Sequence, residues 1–66
     1  MELDLRQAII HQVKNNSTEE LHEVIQDSVH GQEQLLPGLG VLFEIIWDHS
    51  DQATQNQLVQ TLKDHL

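Results

Sequence analysis

Few side chains in this 66-residue chain could do chemistry, and their spacing decides what that chemistry would be. Two of the five histidines follow a carboxylate by three positions, as Glu19-x-x-His22 and Asp27-x-x-His30. Bundle proteins with paired metals use that spacing, but they place it on two different helices and add further inward carboxylates. Here both copies fall on one helical segment, with His30 on its polar face and His22 at the edge, so no metal site is expected. A nucleophile is equally hard to find. Cys is absent, and Ser17, Ser28 and Ser50 are explained by helix capping or small-residue packing. Glu44 and Asp48 stand four apart, share a helix face and would raise each other's pKa. No pocket or partner group accompanies them, and they are expected to mark the wet edge of their helix. Gly38-x-Gly40 is no phosphate loop, because no strand precedes it and no Lys follows. Gly40 is expected to let a neighbouring helix approach. Catalytic residues, metals and cofactors are therefore all expected to be absent.

The element that must position everything else is Leu35 to Trp47, LLPGLGVLFEIIW. Apart from Pro37, Gly38, Gly40 and Glu44, every residue in it is apolar. Read as a helix from about 39 to 49, it puts Gly40, Glu44 and Asp48 on one side and apolar side chains on the rest. A helix apolar over so wide an arc needs neighbours on several sides. Phe43 and Trp47, the two aromatic residues, sit four apart and can stack into one contact. They are expected in the core, with an exposed anchor for a partner as the alternative.

Three amphipathic segments are available to surround that helix. Asp4 with Gln7 looks like a capping pair ahead of Leu5, Ala8, Ile9 and Val13, with Leu3 and Ile10 widening the face. Asn15-Asn16 closes the segment, since Asn tolerates a left-handed helix end. Ser17 and Glu20 form a capping box, and Glu19 and Glu20 suit the positive end of the helix dipole. Leu21, Val24, Ile25 and Val29 follow at helical spacing, and Gly31 is the expected stop. Residues 32 to 36 read as either a short helical turn or an extended link. Pro37 reads as a turn residue with Gly38, or as the first residue of the apolar helix. Ser50 or Asp51 can cap a last helix whose stripe is Leu58, Val59, Leu62 and Leu66. The expected fold is all-α: one small domain, 1–66, of about four short helices around the central apolar one.

Eleven acidic and three basic residues give a formal charge of −8. A bare phosphate backbone demands clustered Lys and Arg, which Arg6, Lys14 and Lys63 do not supply, so no nucleic-acid partner is expected. The same charge opposes an anionic membrane surface. MELDLRQAII has no basic region leading into an apolar core, so no signal peptide is expected. The longest apolar stretch is too short to span a bilayer. An intracellular, soluble protein is expected. A chain this small buries only ~60% of its unfolded surface, and without disulfides dimerisation is one way to add buried area.

Leu36 to Trp47, LPGLGVLFEIIW, together with LDLRQAII near the start and a helix-sized tail, resembles the minor small acid-soluble spore proteins of type I from Bacillus-like endospore formers. The resemblance spans the chain, and is strongest in the central block and weaker after Asp48. It implies synthesis in the forespore and residence in the spore core. It implies no enzymatic activity and no cofactor, and it carries over no site residue. The better-known alpha/beta-type acid-soluble spore proteins coat DNA and carry a Glu-aliphatic-Ala-x-Glu-Phe cleavage motif for a germination protease. Leu42-Phe43-Glu44-Ile45 does not match that motif, and the acidic charge opposes DNA coating.

The expected function is that of a non-enzymatic spore-core protein with a structural or protein-interaction role. The alternative is a nucleic-acid-associated spore protein. Leu39, Leu42, Phe43, Ile46 and Trp47 are the candidate core or interface residues. A second copy or another spore-core protein is the expected kind of partner.

Overall fold

The computed structural model describes residues 4–66 and contains, among them, four α-helices and no strand. Helix α1 runs Leu5–Val13, α2 Thr18–Ser28, α3 Leu36–Asp48 and α4 Gln52–Asp64, with a single 3-10 turn at Glu33–Leu35. Leu3, assigned above to the face of α1, lies outside the described residues.

Local chemistry sets the helix starts. Asp4 caps α1 by accepting from the Gln7 backbone N–H at 2.8 Å. At α2 the capping box is complete: Ser17 Oγ accepts from the Glu20 N–H at 3.1 Å, and the Glu20 carboxylate accepts from the Ser17 N–H at 2.9 Å. Hydrogen bonding to the carboxylate from the Ser17 backbone N–H, and then from its side chain, favours the charged form and holds the Glu20 carboxyl below its usual value. Asp51, not Ser50, caps α4 by accepting from the Thr54 N–H at 2.8 Å, and hydrogen bonding from the Thr54 side chain together with that N–H holds its carboxyl below the usual value.

Helix ends depart from expectation in instructive ways. Asn16 closes α1 through a bond from its N–H to the Val13 carbonyl at 3.0 Å, and neither Asn15 nor Asn16 is left-handed. Helix α2 stops at Ser28, which leaves Val29 extended and outside the helix. His30, with φ of 64°, takes the left-handed position expected of Gly31. Gly31 is needed for space instead. A Cβ there would lie 2.7 Å from the Asp27 carbonyl oxygen and 3.0 Å from Leu35 Cδ1. The link from 32 to 36 is helical in character, with the Leu35 N–H bonded to the Gln32 carbonyl at 2.9 Å. Helix α3 begins at Leu36, earlier than 39, because Pro37 fits a first helical turn where its missing N–H costs nothing.

Helix α3 is the central element: α1 packs most extensively on it, and α2 and the 3-10 turn add to that pairing. Gly38 gives α1 its close approach, for a Cβ there would lie 3.2 Å from Ile9 Cδ1. Gly40, expected in that role, faces open space. Helix α4 follows after the short link His49–Asp51 and stands away from α3, leaving an open groove between them. The result is an elongated helical bundle, 40 × 26 × 25 Å, with a radius of gyration of 13.2 Å against about 11 Å for a compact chain of this length.

Candidate interaction surface

The core is far smaller than the apolar content promises. Among the described residues Val41, 6% exposed, is the one that is buried. Of the five candidates, Leu39, Leu42 and Trp47 are half-buried, whereas Phe43 and Ile46 are exposed. The expectation that Phe43 packs inside the chain is therefore corrected. Phe43 is 47% exposed, because α1 and α2 cover other faces of α3 and α4 does not close over this one. Phe43 and Trp47 do meet, with ring centroids 5.9 Å apart and planes tilted by 38°.

These two rings form one wall of the groove between α3 and α4. Leu58, Val59 and Leu62 form the other, and Glu44 lies at the edge of an opening of about 530 Å³. The polar link across the groove's base runs from Gln55 Nε2 to the Trp47 carbonyl oxygen at 2.9 Å. It anchors the first turns of α4 to the last turn of α3 and leaves Val59 and Leu62 of the α4 stripe, and Leu66 beyond the helix end, exposed.

Glu44 does not behave as the sequence suggested. Arg6 of α1 grips it as a fork, Nε to Oε1 at 2.7 Å and Nη2 to Oε2 at 2.9 Å. Hydrogen bonding to the guanidinium holds the Glu44 carboxyl below its ordinary value, the opposite of the rise expected from Asp48. Arg6 correspondingly holds its proton more tightly. Sequence reasoning missed this pair across 38 positions. The available signal was a lone charge inside an apolar block together with a scarcity of basic residues.

The histidines do not assemble. His22 is exposed on α2 and His30 lies beyond its end. Among the described residues no three His, Asp or Glu side chains group as metal ligands. No helix there is long and apolar enough to cross a membrane.

Fold and surface together define a small, acidic, all-helical protein that leaves many of its large apolar side chains exposed and most of the others only half-buried. Sequence comparison gives that class its family. The family model for small, acid-soluble spore protein I matches residues 3–66. A small, acid-soluble spore protein I of Geobacillus kaustophilus is 47% identical, over 96% of this chain and 93% of the relative. The Bacillus licheniformis protein of that name is 46% identical over 100% and 96% of the two chains, and the Bacillus subtilis one 45% over 96% and 90%. The chain belongs to the small, acid-soluble spore protein I family. No solved structure matches it.

Proposed function

We propose that this spore protein is a non-enzymatic component of the spore core, made in the forespore, and that it works by protein contact through the apolar surface of α3 and α4. The observation that carries the reading is the groove walled by Phe43, Trp47, Leu58, Val59 and Leu62. Exposed apolar patches of this kind mark interaction sites on small soluble proteins. The groove offers no activated acid, base or nucleophile, since its one carboxylate is held by Arg6. Charge weighs against the nucleic-acid alternative, because a net −8 and three basic residues, one of them engaged by Glu44, leave no cationic face for phosphates.

A photo-reactive residue placed at position 62 in developing spores tests the reading. A discrete protein adduct, weakened by Phe43→Glu and recovered from spores stripped of their coats, is expected. Adducts to nucleic acid, or none at all, would overturn the contact role. Recovery only with the coat fraction would overturn the location.

A further inference from the structure

We infer that the groove between α3 and α4 is filled by a second copy of this chain, in a two-fold dimer that sets the α4 of each copy against the α3 of the other. The inference rests on the contact role proposed above and names the partner.

Area is the first argument. The chain exposes 5881 Å², whereas a compact monomer of 7.6 kDa exposes about 4,300 Å². A standard interface takes about 800 Å² from each partner, so the excess of about 1,600 Å², although spread over the whole chain, leaves room for one such interface. The excess is apolar where it matters: Val59 is 50% and Leu62 59% exposed.

Charge is the second. A chain of net −8 repels its own copies wherever the acidic faces meet, yet Lys63 and Asp64 are the only charged side chains of α4, and they cancel. The rest of that helix is Gln, Asn, Thr and Ala around the apolar stripe. Charge depletion at the centre of a patch is the compositional mark of an interface. Glu19, Glu20, Glu23 and Asp27 belong to α2, which does not line the groove. The α4 wall carries no net charge and the one carboxylate of the α3 wall, Glu44, is paired with Arg6, so the two walls can meet while the acidic α2 helices stay apart. A basic protein would find its complement on α2, not here.

Shape is the third. One wall is aromatic and the other aliphatic, so a two-fold axis lets Leu58, Val59 and Leu62 of each copy pack on Phe43 and Trp47 of the other. That reciprocity is what a two-fold interface requires. A small molecule is a poorer occupant. Pockets for such ligands carry converging polar groups that orient the guest, and the groove has only Glu44, already committed to Arg6.

Sedimentation equilibrium of the full chain from micromolar to millimolar concentration, with circular dichroism on the same samples, decides the matter. The wild type is expected at twice the 7.6 kDa chain mass. Leu62→Glu is expected to stay helical and sediment as a monomer. Gln57→Glu, which puts the same charge on an exposed part of α4 that does not line the groove, is expected to stay dimeric. A helical wild-type monomer throughout the range overturns the inference, as does a dimer untouched by both Leu62→Glu and Val59→Glu. A monomer in solution that still yields a discrete adduct with a different protein from position 62 in spores overturns the dimer but leaves the contact role standing. Loss of both signals removes both.

Discussion

Arg6 and Glu44 join the first and third helices by two parallel hydrogen bonds, 2.7 and 2.9 Å long, although 38 positions separate them. A guanidinium and a carboxylate fit each other as two forks, and that geometry fixes register as well as distance. Helix α1 therefore sits on α3 with Gly38 beneath Ile9 and Glu44 beside Arg6. Both side chains are largely exposed, so solvent screens the attraction and its chief effect is orientation.

The same pair gives the fold an acid dependence. The Glu44 carboxyl is lowered in the folded state, as are Glu20 and Asp51. A lowered carboxyl stabilises the fold above its unfolded pKa, about 4 for these side chains, and loses that contribution as pH falls through the folded value. Thermal melts should thus be nearly flat from pH 7 to 5 and fall below about pH 4. Glu44→Gln should melt lower at pH 7 and show a shallower fall in acid. An acid slope identical to that of the wild type would show that the pair does not contribute to it.

The three glycines separate cleanly by what surrounds them. Gly40 lies mid-helix where a Cβ would meet nothing within 4 Å, so Gly40→Ala should stabilise by about 1 kcal/mol through helix propensity alone. Gly38→Ala, in the first turn of α3, gains less propensity and presses on the flexible tip of Ile9, and should be close to neutral; Gly38→Leu should pry α1 from α3. Gly31→Ala puts a methyl group into the Asp27 carbonyl and should lower the melting temperature most among the alanine variants. Melts of the three alanine variants check the order, and a Gly31→Ala chain as stable as the wild type would refute the steric reading.

How much of this was legible in the sequence depends on range. Asp4, and Ser17 with Glu20, act on backbone three residues away, and their caps can be read from the residues alone; for the last helix the residues offered Ser50 or Asp51, and the structure uses Asp51. The order and periodicity of the four helices are equally local. Gly38 and Gly40 differ only in which one α1 happens to cross, and nothing in the spacing tells them apart. Phe43 shows the deepest limit. Apolar density argues for burial, but whether enough neighbouring surface exists to cover a helix is a property of the whole assembly. In this chain α4 leaves part of α3 bare.

Duplex DNA should not bind at physiological salt. Affinity for a phosphate backbone grows with the number of phosphates neutralised, and Arg6, Lys14 and Lys63 are the whole supply, with Arg6 engaged by Glu44. Fluorescence anisotropy with a labelled duplex should show no rise up to tens of micromolar protein, within the range of about 1–100 µM in which ordinary non-specific binding falls. A salt-sensitive complex at low micromolar protein would contradict the expectation.

Val41 and Trp47 should respond differently to truncation, because one is core and the other is half-covered. Val41 is 6% exposed on α3, so Val41→Ala removes two buried carbons and should cost about 2 kcal/mol, a large share of a small domain's margin. Its effect should not depend on protein concentration, since Val41 does not line the α3–α4 groove. Trp47 packs on Phe43, and its carbonyl receives the Gln55 amide, but its ring borders the open groove. Trp47→Ala keeps the carbonyl and loses the ring. In dilute solution it should therefore cost less than the ~3–5 kcal/mol of a fully buried Trp. At high concentration the gap between wild type and Trp47→Ala should widen, because the wild type alone gains from burying the ring against another chain. Chemical denaturation of both variants at micromolar and millimolar protein separates the two behaviours. A Trp47→Ala penalty of full core size that is the same at both concentrations would show that the ring serves the monomer and not the groove's occupant.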